Sequence, residues 1–148
     1  MSKKDSAKDE WYLPEDSRKH LEQLFEGLRE PVALEVFTKA GENDPYNEAM
    51  TMFMRDVARL GSKIDVSFHD VVSEKAQKRD VTRSPTLLVA PDKYAIRYTG
   101  APLGEEARTF IEILMLASHE QSGLSNLSQQ ILGELKEQRQ VRVFISPT

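Results

Sequence analysis

The spacing of apolar residues changes along the chain, and each spacing predicts one kind of structural element. Apolar residues that recur three and four positions apart predict amphipathic helices. This spacing occurs in four stretches, residues 16–29, 44–60, 104–114 and 124–139. Alternating patterns and short apolar runs predict strands instead. These patterns occur in five stretches, residues 32–38, 64–68, 86–90, 94–98 and 141–145.

The helix over residues 44–60 has the clearest boundary signals. Asp44 is expected to act as its N-cap, and Pro45 fits the first helical position because its missing N–H would have no partner there. Gly61 is placed to end the helix. Residues 70–80 are polar and only weakly helical in pattern, so they are expected to form a linking segment.

The order of these elements predicts an α/β fold. A strand–helix–strand unit crosses over with a right-handed connection, so the first two strands should be parallel neighbours. The short turn at residues 91–93 predicts that the next two strands form an antiparallel hairpin. We therefore expect a four-stranded mixed sheet with helices on both faces, plus an extra C-terminal helix and strand. Other small α/β folds would also fit this alternation.

The composition limits the chemistry that the chain can perform. None of its 148 residues is cysteine, which excludes a thiol nucleophile, a redox pair and thiolate zinc ligation. The three histidines, at positions 20, 69 and 119, lack the spacing of a metal site. No glycine-rich phosphate-binding motif occurs. We therefore expect no metal and no cofactor in this chain.

Charge and hydropathy limit the partners. The formal net charge is −4, and the basic residues are scattered, so no nucleic-acid partner is expected. The richest apolar stretch, residues 110–117, is too short to cross a membrane. The N-terminus carries charges and no apolar signal core, so a cytoplasmic location is the default expectation. Residues 1–15 are expected to form a flexible tail, from which Trp11, Tyr12 and Leu13 could dock onto the body.

Two motifs resemble the active site of the thioredoxin family. Asp44-Pro45-Tyr46-Asn47 resembles its Cys-Pro-Tyr-Cys motif with both cysteines replaced, and it opens the helix after the first strand. The segment Arg83–Thr86 resembles the family's cis-proline loop, and residues 98–106 are similar to the segment before the last helix in one subgroup. That subgroup contains the tandem thioredoxin-fold module of the alkyl hydroperoxide reductase flavoprotein subunit and the glutaredoxin-like protein disulfide oxidoreductases.

This resemblance implies a thioredoxin-like fold, in which residues 16–120 form a unit without redox cysteines. Residues 121–148 would be a connecting helix and the first strand of a second, truncated unit. The resemblance also implies that Ser84–Pro85 is a cis bond that faces the start of the Asp44 helix and lines a peptide groove. No catalytic residue is expected at positions 44–47, because a carboxylate cannot exchange disulfides.

Two functions are compatible with these features. In the first, the chain is the redox-inactive scaffold half of a tandem disulfide oxidoreductase. Its partners would be the second unit of the same parent and a disulfide or peroxidase protein, and the parent could carry FAD. In the second, the chain is a stand-alone module that binds peptides with no redox activity. The C-terminal strand, residues 141–145, would have a free edge, which predicts either homodimerisation through it or disorder after about residue 139.

Overall fold

The computed structural model describes residues 10–145. It contains four strands and five helices within that range. The strands are β1 (Val32–Thr38), β2 (Ile64–Asp70), β3 (Thr86–Val89) and β4 (Ile96–Thr99). The helices are α1 (Glu15–Phe25), α2 (Asp44–Leu60), α3 (Glu74–Lys78), α4 (Glu105–His119) and α5 (Asn126–Gly133).

The four strands form one mixed sheet in the order β2-β1-β3-β4. β1 and β2 are parallel, with Val36 opposite Phe68, which confirms the predicted strand–helix–strand unit. β3 is antiparallel to β1 and to β4. The predicted hairpin is therefore confirmed, although β4 begins at Ile96 rather than at Tyr94. A helix-free connection of residues 90–95 joins its two strands, so it is longer than the sequence suggested.

Helices cover the two faces of the sheet to different extents. The larger core lies on one face, where β1 and β3 pack against apolar residues of α1, α2 and α4. Its fully buried members include Leu34, Met54 and Phe110. The opposite face has a much smaller core, in which Phe37 and Leu88 pack against Ala76 of the short helix α3. The second face is therefore only partly covered.

The residues before α1 are fixed to helix α2. The backbone N–H groups of Tyr12 and Leu13 both donate to Oδ2 of Asp56, at 2.9 and 2.8 Å. The guanidinium of Arg59 lies 3.5 Å from the centre of the Trp11 ring. The expectation of a flexible tail over residues 1–15 is therefore wrong for these docked residues, because Asp56 and Arg59 bind them. Residues 1–9 lie outside the described range.

The C-terminal part also differs from the expectation. Helix α5 ends at Gly133 instead of near Arg139, and it buries no residue. The predicted strand over residues 141–145 is wrong within the described range, because this segment forms no ladder with any strand of the sheet. Without a pairing partner, an extended segment lacks the hydrogen bonds that define a strand. Val143 and Phe144 are 78% and 91% exposed.

One further comparison with the sequence concerns length and polarity. Helix α1 has 11 residues, fewer than its apolar spacing predicts, because Gly27 and Leu28 close the helix through turn-type hydrogen bonds to Leu24 and Phe25. None of the helices over residues 10–145 is long and apolar enough to span a bilayer.

Candidate functional site at the start of helix α2

The turn over residues 43–47 follows β1 and opens helix α2. Asn43 is the N-cap residue and adopts the left-handed conformation, with φ 58° and ψ 38°. The predicted capping role of Asp44 is therefore wrong, since Asp44 is the first helical residue. Its carboxylate instead accepts a hydrogen bond from the backbone N–H of Gly41, at 2.8 Å, and so closes the preceding loop. Pro45 occupies the first turn of α2, as predicted.

Asn47 is the most constrained residue of this turn. It is 7% exposed, and its side-chain amide donates to the carbonyl oxygens of Lys39 and Glu42, at 3.0 and 2.7 Å. Its Oδ1 accepts a hydrogen bond from the hydroxyl of Ser84, at 2.8 Å. Buried polar atoms are stable only when they are paired, and these contacts pair both ends of the amide. Asn47 thus ties the 39–42 loop and the Ser84 loop to helix α2.

Ser84 connects the second half of the site. Its Oγ accepts a hydrogen bond from the backbone N–H of Lys39 at 2.7 Å while it donates to Asn47. The carbonyl oxygen of Ser84 accepts from Nδ2 of Asn43, at 2.8 Å. The Ser84–Pro85 peptide bond is cis, which is the isomer that the resemblance implies. The Asp44–Asn47 turn and the Ser84–Pro85 loop are therefore adjacent and joined by hydrogen bonds.

A groove of about 710 Å³ runs along this junction. Tyr46 lines it and is 51% exposed, whereas Ser84 is only 5% exposed. Among the side chains that line it, none is a thiol, and residues 10–145 hold no group of three metal-binding side chains. The groove can therefore make hydrogen bonds and apolar contacts. Its side chains do not include a nucleophile paired with a base.

An ionic cluster lies beside the sheet on its less covered face. Glu35, in the middle of β1, is 5% exposed and accepts two hydrogen bonds from Arg79, at 2.9 and 3.0 Å. Lys75 is 2.8 Å from the same carboxylate, and Arg79 also contacts Asp92 at 2.7 Å. Burial raises the pKa of Glu35, but the bonds to Arg79 and Lys75 outweigh it and hold that pKa below its ordinary value.

Sequence reasoning did not find every residue of these sites. It identified Asp44–Asn47 and Ser84–Pro85 but missed Asn43, whose amide closes the Ser84 carbonyl. An Asn directly before a helix start was the available signal, because Asn tolerates the left-handed conformation better than most residues. It also missed Glu35, although a lone carboxylate inside the apolar strand Val32–Thr38 required a buried partner.

The fold and this junction define a thioredoxin-like α/β domain. No family model matches the chain, and no curated protein matches it. Among solved structures, a protein disulfide oxidoreductase from Aeropyrum pernix K1 is 26% identical and superposes with a TM-score of 0.73. That match covers 85% of this chain and 57% of the other.

The other similar structures belong to alkylhydroperoxide reductase. The reductase protein AhpF from Enterococcus faecalis V583 is 22% identical, with a TM-score of 0.68, and the match covers 80% of this chain and 59% of that one. A structure of the N-terminal N/C domain of AhpF from the same organism gives 24% identity and a TM-score of 0.67, with the same coverages. This chain is a thioredoxin-fold module like that N-terminal domain, and it spans less than three-fifths of the length of each of these structures.

Proposed function

We propose that this chain is the redox-inactive scaffold half of a tandem thioredoxin-fold disulfide oxidoreductase. The observation that carries the proposal is the state of the Asp44–Asn47 turn. In a redox thioredoxin unit, this helix start would hold a thiolate, which the N-terminal N–H groups and the helix dipole stabilise. Here Asp44 and Asn47 hold hydrogen bonds that fasten the turn to neighbouring loops. Side chains engaged in this way serve the fold.

The coverage of the similar structures supports the tandem arrangement. This chain matches 57% of a protein disulfide oxidoreductase and 59% of an alkylhydroperoxide reductase structure. Helix α5 exposes Leu127 and Ile131 by 66% and 56%, and these side chains would pack against a following unit. In the parent, that unit would carry the dithiol and pass electrons to a disulfide or peroxidase partner in the cytoplasm. FAD would belong to a further domain of the parent.

The coding sequence beyond Thr148 and the activity of its product test the proposal. We expect a Cys-x-x-Cys motif shortly after that position and dithiol-driven reduction of insulin by the parent protein. Replacing the first of these cysteines should abolish the reduction. A parent without a cysteine pair, or one that does not reduce insulin, would refute the proposed role.

A second pair of variants tests whether the turn is only a scaffold. Asp44→Ala in the parent should leave the rate of insulin reduction within about twofold of the unsubstituted parent, because its carboxylate accepts only a loop N–H. Glu48→Ala, on an exposed neighbouring position, is the matched control. A loss of more than about tenfold in Asp44→Ala alone, at unchanged stability, would place the turn in the chemistry instead.

The groove supports a second candidate, a stand-alone peptide-binding module. Tyr46, Ser84 and Pro85 line its 710 Å³ volume. An extended peptide would bind such a loop through backbone hydrogen bonds, as in strand addition. The amide of Asn43 already occupies the Ser84 carbonyl at 2.8 Å, so a peptide would have to displace it. Peptide capture by the chain that Pro85→Ala abolishes, with the fold unchanged, would favour this candidate over the scaffold role.

A further inference from the structure

The free edge of β4 borders the largest cleft in the described part of the chain. The cleft has a volume of about 1430 Å³ and lies between β4, the loop over residues 78–86 and the C-terminal segment 138–144. β4 pairs only with β3 among the described strands, so its other edge has backbone N–H and C=O groups available for a further strand.

The charge of this cleft opposes that of the protein. The chain carries a net charge of −4. Six basic residues line the cleft, whereas Asp80 is the one carboxylate among its lining residues. The six are Lys78, Arg79, Arg83, Arg97, Arg139 and Arg142.

Most of these cations lack a compensating carboxylate. Arg79 is neutralised by Glu35 and Asp92, and Arg139 lies 2.9 Å from Glu137. The other four form no salt bridge with any residue between positions 10 and 145. Arg97 is fixed in place, because its guanidinium donates to the carbonyl oxygens of Asp80 and Arg79, both at 2.6 Å. A positive charge held this way remains available to an incoming anion.

The opposite wall adds apolar contacts. Val143 and Phe144 line the cleft and are 78% and 91% exposed. A strand presents its side chains alternately to two sides, so one extended segment can place acidic groups against the basic residues and apolar groups against this wall.

We propose that the cleft binds an acidic, extended segment of a partner protein, which adds as a fifth strand to the edge of β4. The backbone of β4 would supply hydrogen bonds to any extended segment, and the basic residues would select one that carries carboxylates. The proposal uses only residues of this cleft, so it stands or falls separately from the proposed scaffold function.

Fluorescence anisotropy with a labelled short peptide of alternating Glu and Val tests the proposal. We expect saturable binding that weakens at least tenfold when the salt concentration rises from about 50 to about 300 mM, because exposed charges are screened. The same peptide with Gln in place of Glu should bind at least tenfold more weakly. A peptide with Pro in place of Val should also lose binding, because it cannot donate to a strand edge.

Variants locate the site. Lys78→Gln combined with Arg83→Gln should weaken binding about tenfold, since two exposed charge pairs are lost. Arg108→Gln is the matched control, because Arg108 is exposed on α4 outside the cleft. Circular dichroism checks that both proteins remain folded. Equal affinity of the double variant and the control, or equal binding of the Gln peptide, would overturn the proposal. Tighter binding of single-stranded RNA than of the peptide would overturn it as well.

Discussion

Two polar clusters fasten loops and a helix to strand β1, and they do so by different physical means. The first is the Asn47 network, which consists of Asn47, Ser84 and their partners at the end of β1. It contains only neutral hydrogen-bonding groups, with distances between 2.7 and 3.0 Å. The second is the Glu35 cluster, which consists of Glu35, Lys75, Arg79 and Asp92. It joins helix α3 and the 90–95 connection to the sheet through charges.

The comparison indicates how each part of the molecule should respond to its surroundings. A neutral network does not titrate in the ordinary pH range, so the junction of turn and cis-proline loop should stay closed wherever the fold persists. A charge cluster depends on ionisation, and its exposed members are screened by salt. Helix α3, which covers the smaller core, should therefore be released first in acid. The scaffold role requires the former junction to be robust, and its chemistry meets that requirement.

The largest effect is expected from Arg79→Met, which removes the main partner of Glu35 but keeps an apolar stem. Glu35 is nearly buried and would retain only Lys75, which lies 2.8 Å away. Breaking a buried ion pair from one side costs about 3 kcal/mol of the free energy of unfolding. Urea denaturation followed by circular dichroism measures the loss.

Arg108→Met is the control for Arg79→Met. Arg108 contacts Glu112 at 3.4 Å, and both side chains are largely exposed. Such a surface pair contributes about 0.5 kcal/mol or less. If the two variants lose the same stability, the Glu35 cluster does not hold helix α3 to the sheet as the distances indicate.

A smaller loss is expected from Asn47→Ala, which opens the neutral network. The carbonyl oxygens of Lys39 and Glu42 would lose their donor, and the Ser84 hydroxyl would lose its acceptor. We expect a loss of about 2 kcal/mol, with no dependence on salt. Asn126→Ala, at an exposed position in α5, should change the stability little. A salt-dependent loss at Asn47 would show that the two clusters are not separate.

The pH dependence separates the clusters further. The pKa of Glu35 is lower in the folded state than in the unfolded chain, where it is about 4.3, so the unfolded chain binds more protons. The contribution of Glu35 is therefore fully present above pH of about 4.3 and is lost as the pH falls through the lowered folded pKa. Urea midpoints measured between neutral pH and pH of about 3 should fall more steeply for the native protein than for Glu35→Gln. Parallel curves would contradict the assignment.

The sequence predicted the parts of this fold that depend on local pattern. The parallel β1–β2 pair, the hairpin and the start of helix α2 all follow from apolar spacing and from the positions of Pro45 and Gly61. These signals suffice because a half-buried strand or helix must repeat its apolar residues at the period of its backbone. The resemblance of the Asp44–Asn47 turn added the order in which these elements pack.

Contacts between distant residues could not be predicted in this way. The C-terminal segment 141–145 alternates like a strand, yet a strand also needs a neighbour with a matching edge, and no local pattern encodes one. The cap of α2 was misassigned by one residue because Asn43 and Asp44 both suit an N-cap, and only the left-handed backbone of Asn43 decides between them. The Glu35–Arg79 pair spans 44 positions and leaves no periodic signal.

The smallest effect is expected at Asn43, where two contributions can be separated. Asn43→Ala removes the hydrogen bond to the Ser84 carbonyl and also places a residue with a Cβ at φ 58°. Asn43→Gly removes the same bond but suits that conformation. We expect a loss of about 1.5 kcal/mol for Ala and about 0.5 kcal/mol for Gly, measured by urea denaturation. Equal losses would mean that the bond alone matters. A Gly variant that is as stable as the native protein would mean that the Asn43 amide does not hold the cis-proline loop, so the Asn47 network alone closes the junction.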